Sequence, residues 1–292
     1  MEKQRLIQFK GVKKKLGKTM ILDGINFSVS AGEVVGITGA NGSGKTTILR
    51  QICGFLYPDQ GEVIVSNEIV EPGLVGKIPA GIGALIETPT FLPQFTGFQN
   101  LALLAGIQEK IGKETIKKSL KMVGLEPMDK KKVRKYSQGM LQRLGIAQAI
   151  MEEPKILLLD EPTNGLDKDG VDLFRQILEK QINDHVAIIL VSHIEEEISR
   201  FCDKVYLLKD GKLELIQKQK QREWIILVRT VEELEQLSYV LTDFRIIKRV
   251  GGFATGQCKG GEWESKQELL AFLMSYHIIP EKIMMEEEVV LC

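Results

Sequence analysis

The sequence predicts an α/β fold built on a parallel sheet, followed by a smaller α+β unit at the C-terminal end. Three short apolar runs, at 34–37, 156–159 and 186–191, suit strands that are buried on both faces. Each run ends in glycine-rich or polar residues, and in open α/β sheets ligands bind at the carboxyl ends of parallel strands. The composition becomes polar at 217–222, which predicts a linker before the second unit.

The first run leads into a phosphate-binding pattern. Residues 39–46 read Gly-Ala-Asn-Gly-Ser-Gly-Lys-Thr and match G-x-x-x-x-G-K-[ST], with helical spacing from Thr47 onward. A strand, a glycine loop and a helix in this order turn backbone N–H groups and a positive helix end towards phosphate oxygens. We expect Lys45 to reach the β- and γ-phosphates as a catalytic residue, and the Thr46 hydroxyl to ligate Mg²⁺. The residues expected to contact the nucleotide here are Gly39, Ala40, Asn41, Gly42, Ser43, Gly44, Lys45, Thr46 and Thr47.

The other two runs end in candidate catalytic residues. Asp160 follows the run 156–159 and is expected to hold the water shell of Mg²⁺, while Glu161 is placed to polarise an attacking water. His193 follows the third run and is predicted to face the γ-phosphate. Simpler interpretations exist, because Glu161 could be a helix-start acid and His193 an ordinary surface or core residue.

A helix start lies between these strands, in the segment 135–143. Ser137 is a good N-cap residue, and Gly139 permits a close approach to the beginning of the helix. Taken alone, this segment predicts a helix cap and nothing more.

In this order the motifs resemble those of the nucleotide-binding subunit of an ATP-binding cassette transporter, over roughly residues 1–215. The resemblance implies the P-loop NTPase fold with an antiparallel edge subdomain and a helical signature arm, and it implies ATP and Mg²⁺ as cofactors. It also implies a head-to-tail homodimer in which Ser137 and Gly139 bind the γ-phosphate of ATP held by the second subunit. The matching segments are the Walker A loop at 39–46, the signature at 136–140, Walker B at 156–161, the D-loop at 165–167 and the H-loop residue His193.

The sequence departs from the family pattern at several places. Gln138 and Met140 replace a glycine and a glutamine of the signature, and Leu16 stands where the family usually stacks an aromatic ring on adenine. Glu87 occupies the Q-loop position, where its carboxylate can ligate Mg²⁺ or order water. The variant Ile-Glu-x-Pro-x-Phe at 86–91 resembles the ATPases of bacitracin- and lantibiotic-type export and self-protection systems.

The expected organisation is a cassette domain at 1–216 and a small C-terminal α+β domain at 223–292. Antiparallel edge strands are predicted at 5–9, 25–29 and 62–65, and the helical arm at about 88–150. The C-terminal elements follow the order β-α-β-β-α-β, which resembles a ferredoxin-like unit, with Trp224 and Trp263 expected in its core. Phe91, Phe95 and Phe98 either form the core of the arm or line a groove for a partner helix.

Charge and hydropathy restrict the function classes. Basic and acidic side chains number 39 each, so no global positive field favours nucleic acid as a partner. The simpler interpretation of the basic runs at 13–15 and 130–132 is solvated loops. The alternative is a specific patch that lies near anionic lipid or an acidic loop. No apolar run approaches the ~20 residues of a membrane crossing, and residues 1–5 are charged and not secretory. We therefore expect a cytoplasmic protein, peripheral on the inner face of the cell membrane, with a separate transmembrane permease subunit.

The resulting expectation is an ATP-hydrolysing, energy-coupling subunit of an exporter of antibiotic peptides or related compounds. The alternative is a soluble ATPase of the same fold that acts in repair, translation or cluster assembly. Repair types insert a long coiled coil after the Walker A loop, but Lys45 and Ser137 are only 92 residues apart (137 − 45). Translation types usually carry two cassettes, and this sequence shows one.

Overall fold

The chain forms two compact units, Met1–Ile216 and Gln217–Cys292. The structure, a computed structural model, describes residues 4–71, 79–194, 198, 200–216, 218–241, 244–250, 253–260 and 266–291. Two predicted features lie outside the described residues, namely positions 1–3 of the charged start of the chain and Trp263.

The first unit combines two sheets and a set of helices. Its strands in chain order are β1 (Arg5–Leu16), β2 (Thr19–Ser30), β3 (Val34–Thr38), β4 (Gln60–Val65), β5 (Glu68–Ile69), β6 (Ile82–Leu85), β7 (Ile156–Asp160), β8 (Ala187–Val191), β9 (Lys204–Lys209) and β10 (Lys212–Ile216). Its helices are α1 (Lys45–Ile52), α2 (Gly97–Gln108), α3 (Lys113–Met122), α4 (Gln138–Ile150) and α5 (Lys168–Asn183), with a short 3-10 helix at Val133–Lys135.

The central sheet has the strand order β10-β9-β3-β8-β7-β6. The strands from β9 to β6 run parallel, and β10 closes the edge antiparallel to β9. Every residue of β7 and β8 is buried, which explains why these strands are continuous apolar runs and do not alternate. The predicted parallel sheet is therefore confirmed, and its carboxyl ends gather residues 38–46, 160–161 and 192–193.

The second sheet is antiparallel, in the order β2-β1-β4-β5, and extends well beyond the runs predicted at 5–9, 25–29 and 62–65. Its basic segment 13–15 belongs to β1, so the interpretation of this run as a loop is wrong. Lys13 pairs with Asp23 at 2.7 Å and Lys14 with Asp59 at 2.8 Å, and these neighbours compensate the basic charges. The apolar alternation stops before these lysines, so the sequence pattern did not predict the second half of the strand.

The helical arm begins at a well-formed cap. The Thr96 side chain accepts a hydrogen bond from the Gln99 N–H, and the Gln99 side-chain oxygen accepts one from the Thr96 N–H, which completes a capping box for α2. Ser137 caps α4 as predicted, and that helix begins at Gln138. None of the described helices combines the length and the apolar composition that crossing a membrane requires.

The second unit has the element order β-α-β-β-α-β, which is the order of a ferredoxin-like unit. It consists of β11 (Lys218–Val228), α6 (Val231–Val240), β12 (Arg245–Val250), β13 (Phe253–Gly260), α7 (Lys266–Ser275) and β14 (Lys282–Leu291), with an antiparallel sheet in the order β12-β13-β11-β14.

Trp224 lies in the core of this unit, as predicted, together with Leu237 and Leu269. Residues 218–222, which the sequence predicts as part of a linker, instead begin β11 and pair with β14. Backbone pairing with β14 extends this strand through a polar sequence that shows no apolar alternation.

Close packing of β6 against α4 gives the first testable prediction. A Cβ atom on buried Gly83 would lie 1.9 Å from the Ala149 carbonyl oxygen, so Gly83→Ala forces the strand and the helix apart. We expect a loss of about 2 kcal/mol or more in the free energy of unfolding, measured by urea denaturation. The control is Gly106→Ala on α2, where the new methyl group meets open space and should stabilise by up to about 1 kcal/mol. Equal urea midpoints for Gly83→Ala and the wild type would contradict the packing.

Candidate active site

The loop between β3 and α1 needs glycine at particular positions. Gly39 and Gly44 have φ values of +148° and +110°, which side chains rarely adopt. A Cβ atom on Gly39 would lie 2.5 Å from the Leu208 carbonyl oxygen, and one on Gly44 would lie 2.6 Å from Ile21 Cγ2. The loop is therefore wrapped tightly over the end of the sheet, with its backbone close to neighbouring strands.

The start of α1 presents unpaired donors. Its N-cap residue is Gly44, which has no side chain to satisfy the first N–H groups of the helix. The Ser43 hydroxyl is buried without a hydrogen-bond partner, and Lys45 Nζ donates to the Gly39 and Ala40 carbonyl oxygens at 2.7 and 3.0 Å. A helix N-terminus, an orphaned hydroxyl and a buried ammonium form a fitting cradle for the phosphates of a nucleotide.

A hydrogen bond joins this cradle to β7. Thr46 Oγ1 donates to Asp160 Oδ2 at 2.7 Å. Burial raises the pKa of the Asp160 carboxyl above its usual range; the Thr46 hydrogen bond opposes this rise, and the Glu161 carboxylate adds to it. A hydroxyl and a buried carboxylate side by side are hard oxygen ligands, and they fit a Mg²⁺ ion that would relieve the crowding of negative charge.

Glu161 and His193 form a hydrogen-bonded pair, with His193 Nδ1 and Glu161 Oε2 at 2.7 Å. The backbone of Glu161 has φ +48°, and its N–H donates to the Val191 carbonyl oxygen at 2.8 Å. Gln142 Nε2 donates to the carbonyl oxygens of Glu161 and Pro162 at 3.2 and 2.9 Å. Sequence reasoning assigned no role to Gln142, although this residue lies one turn into the helix that Ser137 caps.

One cavity of about 340 Å³ is lined by residues of the phosphate loop, by the candidate Mg²⁺ ligands Thr46 and Asp160, and by the candidate general base Glu161. The lining residues are Leu16, Ile21, Asn41, Gly42, Gly44, Lys45, Thr46, Thr47, Asp160 and Glu161. Leu16 and Ile21 are its apolar members. Phe9, the aromatic residue that could have replaced Leu16 as a base-stacking ring, is buried and stacks on Phe27 at 4.7 Å between centroids.

Glu87 lies in a neighbouring cavity of about 290 Å³, which Asp160, Glu161 and Gln138 also line. Its carboxylate Oε1 is 2.5 Å from Nη2 of Arg50 on α1. Sequence reasoning missed Arg50, although its spacing of four residues from Thr46 places both on the same side of the helix.

Ser137 and Gly139 lie at the start of α4 and are absent from the described lining of the loop cavity. Ser137 is exposed, and its hydroxyl accepts a hydrogen bond from the Met140 N–H at 3.2 Å. A Cβ atom on Gly139 would lie 2.8 Å from the Gly165 carbonyl oxygen, so the signature packs tightly against the D-loop of its own chain. Within one chain, the structure therefore does not place Ser137 or Gly139 among the described residues that line the phosphate-loop cavity.

The D-loop is fixed by a second ion pair that the sequence did not predict. Arg143 Nη2 lies 2.6 Å from Asp167 Oδ1, and the same oxygen accepts the Gly170 N–H at 3.0 Å to cap α5. The Arg143 guanidinium holds the pKa of the Asp167 carboxyl below its usual range. The signature helix and the D-loop are thus tied to each other.

Comparison with known proteins agrees with this geometry. Residues 22–164 match the model of the ABC transporter family. A Bacillus subtilis (strain 168) protein described as the uncharacterized ABC transporter ATP-binding protein YybJ is 39% identical over 213 residues, which are 73% of this chain and 97% of that protein. The bacitracin transport ATP-binding protein BcrA of Enterococcus faecalis is 35% identical over 71% of this chain and 68% of its own length.

The fold is also similar to that of solved cassettes. The dimeric structure of MJ0796, a bacterial ABC transporter cassette, superposes with a TM-score of 0.63 at 28% identity. The match covers 72% of this chain and 97% of that one.

The apolar lining by Leu16 and Ile21 predicts weak selectivity between purine bases. The described lining of this cavity includes no aromatic ring, so most of the affinity should come from the triphosphate. ATP and GTP should then bind within about tenfold of each other, or ~1.4 kcal/mol. Calorimetric titration of both nucleotides checks this expectation.

Leu16→Tyr is the matched variant, because an added ring offers a stacking surface to either base. It should tighten the binding of ATP and GTP together, by about tenfold. A hundredfold preference of the wild-type protein for ATP would contradict the apolar base site.

Proposed function

This chain belongs to the ABC transporter ATP-binding proteins, and on that basis we propose that it hydrolyses ATP to drive a separate membrane permease. The observation that carries the proposal is the Glu161–His193 pair beside the cavity that Lys45, Thr46 and Asp160 line. A module that only binds nucleotide has no need of a carboxylate and an imidazole at this place. The resemblance of the sequence to bacitracin-type transport ATPases is confirmed by the likeness to BcrA.

The loop and α1 would hold the triphosphate. Lys45 can turn its ammonium from the Gly39 and Ala40 carbonyl oxygens to the β- and γ-phosphates, and Ser43 gains the partner that its hydroxyl lacks. Thr46 and Asp160 would hold Mg²⁺, with Glu87 close enough to share a water of its shell. The bound cation would offset phosphate charge and polarise the γ-phosphoryl group.

Glu161 and His193 would act on the attacking water. The Glu161 backbone is fixed by Val191 and Gln142, so its carboxylate can orient a water and accept its proton. His193 contacts Glu161 through Nδ1, which leaves Nε2 for a γ-phosphate oxygen. Positioning and charge neutralisation supply most of the catalysis in phosphoryl transfer.

We further propose that two chains meet head to tail around two ATP molecules. The support is the separation of Ser137 and Gly139 from the cradle of their own chain, together with the exposure of Ser137. Closure would place the signature of one chain on the γ-phosphate held by the other. The dimeric MJ0796 cassette, at 28% identity, lends support to such an assembly.

For the cargo, we propose antibiotic peptides or related compounds, because BcrA is a bacitracin transport ATP-binding protein. The protein would work on the cytoplasmic face of the cell membrane, bound to its permease. The soluble repair-type alternative is disfavoured, since the segment between α1 and α4 holds the short helices α2 and α3, each of 12 residues or fewer.

An apolar groove of about 650 Å³ is the proposed docking site for a helix of the permease. Phe55 and Ile107 on its rim are 63% and 77% exposed, and Ile86 lines it directly before Glu87. Movement of a docked helix could therefore reach the nucleotide site through this segment. Phe91, Phe95 and Phe98 are each partly buried, and none is among the described residues that line the groove.

Replacement of the general-base candidate tests the proposed chemistry. Glu161→Gln keeps the hydrogen-bonding shape but cannot accept a proton, so ATP turnover should fall by at least ~10²-fold while ATP affinity remains. Glu153→Gln is the matched control, because Glu153 also has a positive φ and lies away from the site cavities around Asp160. Turnover of Glu161→Gln close to the wild-type rate would remove Glu161 from its role.

Copurification from membranes tests the permease and its docking groove. The wild-type protein should bring down a membrane protein, and Ile107→Asp should lose most of it with basal ATP hydrolysis little changed, because a charge cannot be buried against an apolar helix. Met128→Asp is the control, since Met128 is 70% exposed and does not line the groove. Recovery of the wild-type protein only with ribosomes or DNA would contradict the transport function.

A further inference from the structure

Helix α1 contacts the ends of two neighbouring strands through one side. Thr46 and Arg50 are four residues apart and project from the same side of the helix. Thr46 bonds Asp160 at the end of β7, and Arg50 bonds Glu87 two residues after the end of β6. Strands β6 and β7 are parallel neighbours with Leu85 beside Leu159, so the two contacts lie side by side at the sheet edge.

The environment of Glu87 explains why its carboxylate needs a hydrogen-bonding side chain to fix its direction. Glu87, Asp160 and Glu161 line one cavity, which places three carboxylates near the same proposed metal. The backbone of Glu87 has φ +61° and the side chain is exposed, so packing does little to restrict the carboxylate. The contact with the Arg50 guanidinium, at 2.5 Å, is the interaction that gives it a direction.

We propose that Arg50 is a positioning residue that holds the Glu87 carboxylate on the metal side of the nucleotide cavity. The inference rests on the proposed function, because it assumes that Mg²⁺-ATP occupies this site. Arg50 touches neither phosphate nor metal in this role; it acts through Glu87. The pair also joins the phosphate-binding helix to the segment that enters the helical arm, because Thr88 and Pro89 follow Glu87 directly.

The test measures how much Mg²⁺ strengthens ATP binding, as the ratio of the dissociation constant in EDTA to that in Mg²⁺. Titrations at about 0.3 M salt suppress direct attraction between Arg50 and the nucleotide. We expect Arg50→Gln and Glu87→Gln each to lower this ratio by about threefold to tenfold. The double variant should lower it no further than either single change, because Arg50 has nothing to position once Glu87 is replaced.

Arg50→Lys is the matched control, since it keeps the positive charge on a similar stem. Its ratio should stay within about twofold of the wild type. Equal weakening of ATP binding with and without Mg²⁺ in Arg50→Gln would overturn the inference, because Arg50 would then act on the nucleotide or the fold directly. Additive losses in the double variant would overturn it as well.

Failure of the proposed ATPase function would give a result that differs from failure of the Arg50 inference. A wild-type protein that binds no ATP, or gains nothing from Mg²⁺, contradicts the ATPase function itself. A normal gain in the wild type that Arg50→Gln leaves unchanged overturns the role of Arg50 alone.

Discussion

The hydrogen bond from Thr46 to Asp160 is the interaction on which the site depends. It joins the first turn of α1 to the end of a strand that is buried along its whole length. The strand fixes Asp160, Asp160 fixes the start of the helix, and the start of the helix fixes the loop that wraps over the sheet. The carboxylate is removed from water there, and this burial raises the pKa of Asp160. A bound cation would offset the negative charge that folding buries there.

Those parts of the fold and site that repeat a local pattern could be predicted from the sequence. Buried parallel strands are continuous apolar runs, and the phosphate loop has a fixed spacing, so Lys45, Thr46 and Asp160 could be placed together. The Ser137 cap followed from residue type alone. The second half of β1 could not be found, because its lysines are neutralised by Asp23 on β2 and by Asp59 directly before β4. Similarly, the contacts of Gln142, Arg143 and Arg50 join segments far apart in the chain, and no local pattern encodes such pairs.

Besides the cradle, the first unit exposes two other surfaces. The signature start is solvent-exposed at Ser137 although its neighbour Gly139 is packed against the D-loop. The Arg143–Asp167 pair makes the signature helix and the D-loop a single block, so a second chain that met one would meet the other. On another part of the first unit, Phe55 and Ile107 expose apolar side chains along a groove. The signature surface is held rigid by the Arg143–Asp167 pair and by the packing of Gly139, and a rigid surface loses little conformational entropy when a partner binds.

The same left-handed backbone conformation occurs just after the ends of β6 and β7. Glu87 and Glu161 both have positive φ values, +61° and +48°, which are uncommon outside glycine and cost energy unless the surroundings enforce them. Glu161 is held by a backbone hydrogen bond to Val191 and by Gln142, whereas the described contact of the Glu87 side chain is the single one to Arg50. The Glu161 backbone is therefore held at several points, whereas the direction of the Glu87 carboxylate depends on Arg50. That difference would suit the proposed roles, in which Glu161 accepts a proton from water and Glu87 joins the nucleotide site to the segment that leads to the arm.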